Sequence, residues 1–359
     1  MSKDLREIWD KENSLVVDDL KDITCDKVIP WQKFSNKSVL ITGATGLLGL
    51  LLVKALVFRS DFYNENITVG ALVRNEKKFR SKCSWLLDSH TNIRIEIADI
   101  SAPINIEKKY DYVIHTACST DSKSMVEKPV ETLLTIIEGT KNILDYARKF
   151  NVESIIYLSS MEVYGKLDNE IVSENDYGYI DTLNARSSYP LGKRVAENLC
   201  FDCFSEYGLP IKIARPTLTF GPGIDQNDQR VFAQFARAVL NKTDIVLNSK
   251  GGTKRDYLYT ADAIKGLLSI LLLGKDGEAY NLSNSKSYIS ILEMAQIFKK
   301  IANNEIDIKI DLDPEKCKKY PKEMHVNLNT SKLEQLNKIE FTDFYVQIEK
   351  LIDYMKSID

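Results

Sequence analysis

From Lys37 onward the chain alternates short, continuously apolar runs with longer amphipathic ones. KSVLIT (37–42), ITVGALV (67–73), IRIEI (93–97), DYVIH (111–115), ESIIYL (153–158) and LPIKIAR (209–215) read as strands. Runs that are apolar throughout, rather than at every second position, belong to strands covered on both faces. Helical patterns separate them: Leu47 to Arg59, roughly 126–150, and around 188–207. Strand–helix alternation implies right-handed crossovers and a doubly wound parallel sheet, an α/β fold. After Arg215 the texture changes. Loops lengthen (PTLTFGPGIDQNDQR, NSKGGTKRDYLYT) and the strand candidates shrink, which predicts a smaller, interleaved α/β C-terminal lobe for substrate. AIKGLLSILLL and EAYNL are expected to return to the main sheet. The division expected is an extension at 1–36, a nucleotide-binding domain at 37–215 with returns near 256–285, and a lobe at 216–359. FYVQIEKLIDYM reads as an amphipathic closing helix packed on the core.

Composition narrows the function. Across 359 residues, 44% are apolar, 28% are charged, and the net charge is −3. That balance gives no electrostatic case for nucleic acid or an anionic membrane as partner. The longest apolar runs, GLLGLLLVKALVF and LLSILLL, are too short to cross a bilayer. MSKDLREIWDKEN is charged from its start and does not read as a secretory signal, so a cytoplasmic location is expected. The six cysteines, Cys25, Cys83, Cys118, Cys200, Cys203 and Cys317, are scattered rather than framed for disulfides. Cys200 and Cys203 form a CxxC inside a helical pattern, which reads as helix-face packing. The three histidines, His90, His115 and His325, have no ligand spacing, and no metal is expected. Residues 1–36 read as an extension packed on the body, with Trp31 as its anchor.

VLITGATGLLG sets Gly43, Gly46 and Gly49 between the first strand and the first helix of the sheet. Such a turn needs one position without a Cβ, a second for close approach of a pyrophosphate, and a third for helix–sheet packing. The helix start offers free N–H groups and partial positive charge to that anion. Thr45, Leu47 and Leu48 complete the predicted dinucleotide loop. The end of the second strand sets cofactor choice: ALVRNEKK puts Arg74 and Asn75 there, with Lys77 and Lys78 behind. A cation suits a 2′-phosphate and tilts the reading toward NADP over NAD. Asp99 and Ile100, after the third strand, are expected at the adenine, although Asp99 reads equally as a loop cap.

SSYPLGKRVAEN carries Tyr189 and Lys193 four apart on one helix face. An ordinary tyrosine, with a pKa near ~10, is a poor base. A neighbouring ammonium together with an oxidised nicotinamide would favour its phenolate, which could then take a sugar hydroxyl proton. Ser160, ending the fifth strand, could hydrogen-bond the same hydroxyl. In TGATGLLG, HTAC, SSMEVYG, YPLGK, RPTLTFGPG and RDYLYTADA the chain resembles the extended short-chain dehydrogenase/reductase family of nucleotide-sugar epimerases and dehydratases. The resemblance runs from about residue 38 to 285. It implies a Rossmann domain, bound NAD or NADP, a nucleoside-diphosphate sugar substrate, and a homodimer formed through the helices at 126–150 and 188–207. It implies cofactor contacts at Thr116 and Ala117 of HTAC, and Lys193 on the nicotinamide ribose. It also implies that Arg255 holds the substrate diphosphate, a task that suits a guanidinium fork.

Family members oxidise C4 of the sugar and differ in the fate of the resulting ketone. The 4,6-dehydratases pair an aspartate with the glutamate of T-D-E-V-Y-G. Here Glu162 matches the base, but Met161 replaces the acid, and a thioether has no proton to give. The UDP-glucuronate decarboxylases are similar through S-E-V-Y-G, RSSYPLGKRVAE and QRVFAQFARA. In that reading Arg186, Arg230 and Arg255 hold anionic groups, and a C4 ketone makes the C6 carboxylate a β-keto acid. A 4-epimerase needs only Tyr189, Ser160 and room for the ketone to turn. A dehydratase, a net 4-ketoreductase and a non-catalytic dinucleotide-sensing protein are the remaining alternatives. Two family asparagines are absent, replaced by Leu218 before x-F-G-P and by Ile136 in TIIEGT.

Overall fold

The computed structural model describes residues 3–118, 122–312 and 323–358, which leaves Cys317 outside the described residues. The extension forms helices α1 (Lys3–Trp9) and α2 (Ser14–Cys25), followed by a single 3-10 turn at Trp31–Phe34. Trp31 is buried, as its anchoring role requires, and so is Trp9. Ionic ties hold α2 down. Asp19, 1% exposed, accepts hydrogen bonds from Tyr259 (2.7 Å) and Lys350 (2.8 Å), and Lys265 pairs with Asp22 at 2.6 Å.

The nucleotide-binding body then runs β1 (Ser38–Thr42), α3 (Leu47–Tyr63), β2 (Thr68–Val73), α4 (Glu76–Ser89), β3 (Ile93–Ile97) and β4 (Tyr112–His115). It continues with α5 (Ser122–Glu127), α6 (Pro129–Phe150), β5 (Ser154–Leu158), a two-residue β6 (Ile171–Val172), α7 (Ser188–Tyr207) and β7 (Ile211–Pro216). The long helix expected at 126–150 is two helices. Proline at 129 lacks an N–H and disfavours helical geometry at Lys128, whose φ/ψ of −133°/59° breaks the run. Helix α4, which the sequence pattern does not predict, buries only Phe79, Cys83 and Leu86, too thin a stripe to stand out.

The main sheet has the order β3–β2–β1–β4–β5–β7, with Ala279–Leu282 beyond β7, and every pair is parallel. Helix Thr260–Leu273 and that last strand are the AIKGLLSILLL and EAYNL returns. Ile41 of β1 sits beside Ala71 on one side and Ile114 on the other. The crossovers reverse direction on the two sides of β1, so a crevice opens beyond the carboxyl ends of β1 and β4. A second, mixed sheet belongs to the lobe: Asn284–Ser290, Lys254–Tyr259, His325–Leu328 and β6, with Leu218–Phe220 also paired to Lys254–Tyr259. Its use of β6 threads chain from before residue 215 into the lobe. Helix Phe344–Ser357 buries Phe344, Ile348, Leu351, Ile352 and Met355, closing the core as expected. Among the described residues no helix is long and apolar enough to cross a membrane.

One contact of the extension carries a pH signature. Trp9 Nε1 donates to Asp61 Oδ2 (2.7 Å), and His90 sets Nε2 on the same oxygen (2.9 Å) and Nδ1 on the Leu86 carbonyl (2.9 Å). Both ring nitrogens face acceptors, so the imidazolium satisfies both. Burial pulls the His90 pKa down, but the hydrogen bond and charge of Asp61 outweigh it and hold the pKa above its ordinary value. A raised folded pKa stabilises fully below the unfolded value near ~6.5, and that stabilisation disappears as pH rises through the folded pKa. His90→Gln is therefore expected to lower Tm by about 1–3 °C at mildly acidic pH and by less at alkaline pH. Melting curves across that range check this; a pH-independent gap contradicts it.

Candidate active site

The glycine loop has the geometry a dinucleotide needs. Gly43 adopts φ +68°, and a Cβ there would lie 2.8 Å from the Ala117 Cα. A Cβ on Gly49 would meet the Gly43 carbonyl oxygen at 2.2 Å, so only glycine lets α3 start this close to β1. Gly46 caps α3, and its N–H donates to the Gly43 carbonyl at 2.9 Å. The N–H groups of Leu47, Leu48 and Gly49 then open the helix, with no acidic side chain in its first turn. This bare, donor-rich cradle fits a pyrophosphate.

The end of β4 is clasped to it. Thr116 Oγ1 donates to the Thr42 carbonyl (2.6 Å), and the Ala117 N–H donates to Thr42 Oγ1 (3.1 Å). Thr42 Oγ1 also meets His115 Nδ1 at 2.7 Å. Burial, aided by the Lys193 charge, pushes the His115 pKa down to about 3, so the ring is a neutral strut. The HTAC string thus holds two residues, His115 and Cys118, with unforeseen places in the site. The Cys118 thiol is close enough to act electrostatically on both Tyr189 and Lys193.

On the adenosine side, Arg74 and Asn75 are exposed, and the Asn75 side chain is spent capping α4 through the Lys78 N–H at 2.9 Å. Arg74 makes no ion pair among the described residues. Asp99 behaves as the loop-cap alternative describes, accepting from Ser101 N (3.0 Å) and Oγ (2.7 Å), which holds its carboxyl below the usual range. Ile100 is buried against the bare face of Gly139 on α6. Thr45 is half-buried, and its carbonyl accepts from Lys82 at 3.0 Å.

At the centre, Tyr189 and Lys193 share the buried face of α7, 5% and 3% exposed. Lys193 Nζ donates to the Leu158 carbonyl (2.7 Å) and lies 5.9 Å from the Tyr189 ring centre. Ser160, just beyond the end of β5, lies close enough to Tyr189 to favour its phenolate, and its Oγ accepts from the Glu162 N–H at 3.2 Å. In the chain alone the lysine does not ionise the phenol. Burial, with Cys118 and Glu162 nearby, raises the Tyr189 pKa well above its ordinary value, and Ser160 and Arg186 only partly oppose that. A further positive charge beside Tyr189 is needed before it serves as a base.

Around this core the predicted anion holders differ. Arg186 Nη2 donates to Glu162 Oε1 at 2.8 Å, both half-exposed, with the guanidinium 5.9 Å from the Tyr189 ring centre. Arg255 is half-buried, and its side chain has no hydrogen bond or ion pair among the described residues. Arg230 is already engaged: its Nε reaches Asp228 Oδ2 at 2.9 Å and its Nη1 the Thr219 carbonyl at 3.0 Å. An aspartate two residues upstream takes the guanidinium fork expected to hold substrate. Met161 is half-buried and accepts a contact from the Thr217 hydroxyl at 3.2 Å. Ile136 packs against Gly192 of α7, so an apolar contact occupies the family's asparagine position. Cys200 is buried and Cys203 half-buried on α7, as helix packing requires, and no metal-binding cluster exists among the described residues.

Comparisons with known proteins agree with this geometry. Residues 39–283 match the model of the NAD dependent epimerase/dehydratase family. UDP-glucuronic acid decarboxylase 5 of Arabidopsis thaliana is 31% identical over 276 residues, covering 77% of this chain and 78% of that protein. UDP-glucuronic acid decarboxylase 3 of the same plant is 30% identical over 275 residues, 77% of each chain. Among solved structures, a UDP-N-acetylglucosamine 4-epimerase from Methanobrevibacter ruminantium superposes with a TM-score of 0.76 at 21% identity, covering 90% of this chain and 99% of its own. A Bacillus cereus UDP-glucuronic acid 4-epimerase, solved with UDP-glucuronic acid and NAD, gives a TM-score of 0.74 at 21% identity over 90% and 100% of the two chains. The chain therefore belongs to the NAD dependent epimerase/dehydratase family, among its nucleotide-sugar-modifying enzymes and related to the UDP-glucuronic acid decarboxylases.

Proposed function

We propose that this enzyme removes the C6 carboxylate of a UDP-uronic acid through a 4-keto intermediate. The observation that carries the reading is the meeting of Ser160, Tyr189 and Lys193 with an Arg186–Glu162 pair beside the tyrosine ring. The relatives at 30–31% identity, decarboxylases of UDP-glucuronic acid by name, support the same substrate class.

The Gly43–Gly49 cradle, Thr116, Ala117 and Lys193 would hold NAD or NADP, which when bound would supply a reversible two-electron acceptor. Tyr189 takes the C4 hydroxyl proton while Ser160 orients that oxygen. Lys193, tied to the Leu158 carbonyl, stabilises the phenolate. Once C4 is a ketone, the C5–C6 bond of the β-keto acid breaks and carbon dioxide leaves. The electron pair moves onto the C4 oxygen, where the protonated Tyr189 and Ser160 hold it by hydrogen bonds. Arg186 receives the carboxylate by trading it for Glu162. Carbon C5 of the enolate then takes a proton from water, relayed by the released Glu162, and return of hydride to C4 together with the Tyr189 proton to its oxygen restores the alcohol. Arg255, with no anionic partner among the described residues, takes the diphosphate.

Met161 offers no proton, which argues against simple dehydration. A second reading, C4 epimerisation of the same uronate, uses only Ser160, Tyr189 and a rotating ketone. Arg74, exposed at the end of β2 and without an ion pair among the described residues, favours NADP within the reading; the ratio of NADP to NAD dissociation constants for Arg74→Ala against wild type tests that. A homodimer through α6 and α7 belongs to the same reading, since both helices expose apolar side chains: Val130 and Leu134 on one, Val195 and Phe201 on the other.

Incubating the purified chain with UDP-, GDP-, CDP- and dTDP-sugars, with products read by mass, tests the proposal. Loss of the mass of carbon dioxide from a UDP-uronate is the expected result. An unchanged mass with altered sugar proton couplings replaces decarboxylation by epimerisation. Loss of water, or no product from any uronate, overturns the proposal.

A further inference from the structure

Tyr189 and Ser160 come from different elements, and two buried or half-buried arginines, bonded to protein groups on several sides, tie those elements together. Arg215, near the end of β7, is 2% exposed. Its Nε reaches Glu197 Oε1 at 3.0 Å and its Nη2 reaches Glu197 Oε2 at 2.6 Å, a two-toothed pair. Glu197 lies one helical turn after Lys193 and two after Tyr189, on the same face of α7. On its other side, Arg215 Nη1 donates to the Tyr164 hydroxyl (3.0 Å) and the Glu174 carbonyl (2.7 Å). Tyr164 closes the 3-10 turn Met161–Tyr164, which Ser160 caps and which carries Glu162.

The network continues into the lobe. The Tyr164 hydroxyl donates to Asn281 Oδ1, and Asn281 Nδ2 donates to the carbonyls of Val172 and Asn329, each at 3.0 Å. The Asn281 N–H donates to Glu174 Oε1 at 2.8 Å. Arg194, next to Lys193, adds a second clamp on the same turn, with Nε on the Val163 carbonyl (2.6 Å) and Nη2 on the Gly178 carbonyl (2.7 Å).

We propose that Arg215 is a positioning residue that fixes the Ser160–Glu162 turn against the Tyr189–Lys193 face of α7 and links both to the lobe segment 172–177. The inference rests on the reading of Ser160 and Tyr189 given above. A guanidinium suits the task because one rigid plane presents donors in three directions at once, to a carboxylate, a phenol and a carbonyl. A lysine keeps the charge but not the plane. Without the fork, Ser160 and Tyr189 lose their common reference, and misplacement by about 1 Å costs roughly 10²-fold in rate.

The test compares wild type, Arg215→Lys and Tyr164→Phe, the last removing only the bridging hydroxyl should the lysine variant fold poorly. Two readouts are needed. The first is the ionisation of Tyr189 in the NAD-bound protein, tracked by the 13C shift of labelled tyrosine Cζ and assigned with Tyr189→Phe. The second is kcat and KM on the sugar nucleotide that wild type turns over. Expected are an upward shift of the Tyr189 titration, kcat lower by about 10–100-fold, and KM and NAD affinity changed by less than about threefold. A Tyr189 titration and kcat equal to wild type in both variants overturn the proposal, as does a loss confined to KM or to thermal stability. Should wild type turn over no sugar nucleotide, the proposed function fails, while a shifted Tyr189 titration still upholds the role of Arg215.

Discussion

Tyr189→Phe is expected to lower kcat by about 10²–10⁴-fold while leaving the fold and dinucleotide affinity in place. The ring stays: phenylalanine keeps the apolar contacts of a side chain that is 5% exposed. Lys193 keeps its bond to the Leu158 carbonyl, so the helix face does not collapse. Only the proposed proton acceptor for the C4 hydroxyl is lost. Because burial raises the Tyr189 pKa in the chain alone, ionisation depends on the positive charges around it. The wild-type kcat/KM should therefore fall toward acid, where the phenol stays protonated, and that limb should be absent from the residual activity of the variant. Steady-state rates across pH, together with NAD binding by calorimetry, measure both halves. Turnover by Tyr189→Phe at the wild-type rate would remove the proposed chemistry, including the step that makes the ketone.

Gly49→Ala should be nearly as damaging, by a different route. The new methyl would meet the Gly43 carbonyl oxygen at 2.2 Å, and that atom is backbone, with no flexible end to swing away. Either α3 retreats from β1 or the loop opens. Both outcomes move the N–H groups of Leu47 and Leu48 from the pyrophosphate. Dinucleotide affinity is expected to drop by about two orders of magnitude, roughly 3 kcal/mol. Gly208→Ala is the control. Gly208 also has a positive φ, +68°, but a Cβ there meets nothing within 4 Å. That change should cost stability by about 1 kcal/mol through backbone strain alone, and leave NAD affinity untouched. Calorimetric titration of the two variants separates the steric claim from a general intolerance of glycine positions. Equal affinity in both would refute it.

Much of the site was legible because its signals are short-range. A glycine triplet between a strand and a helix, and a tyrosine one turn before a lysine, are fixed by spacing along one element. Reading was incomplete where the deciding partner was unmarked. Arg230 looks like an anion holder until Asp228 is seen to fold back onto it. Asp99 reads as an adenine contact or a cap, and only the turn at Ser101 shows that its Oδ1 is engaged. His115 and Cys118 sit in the HTAC string, yet their proximity to Thr42 and Tyr189 depends on β4 lying beside β1 and on α7 packing near both. The break at Pro129 was present in the residues, and an otherwise continuous helical pattern masked it.

The sequence by itself determined the parallel sheet, the glycine cradle, the Tyr189–Lys193 face and the family to which they belong. Each arises from hydrophobic period or fixed spacing, which a chain carries locally. Only the tertiary structure decided how Ser160 meets Tyr189, which arginines are already partnered, and how the extension is tied down through Asp19. Apart from Arg230, whose partner Asp228 is two residues away, those outcomes come from contacts between residues tens to hundreds of positions apart, such as Tyr259 with Asp19 or Arg215 with Tyr164. Burial turns such encounters into strong, selective hydrogen bonds, because an unpaired charge in the interior is too costly to persist.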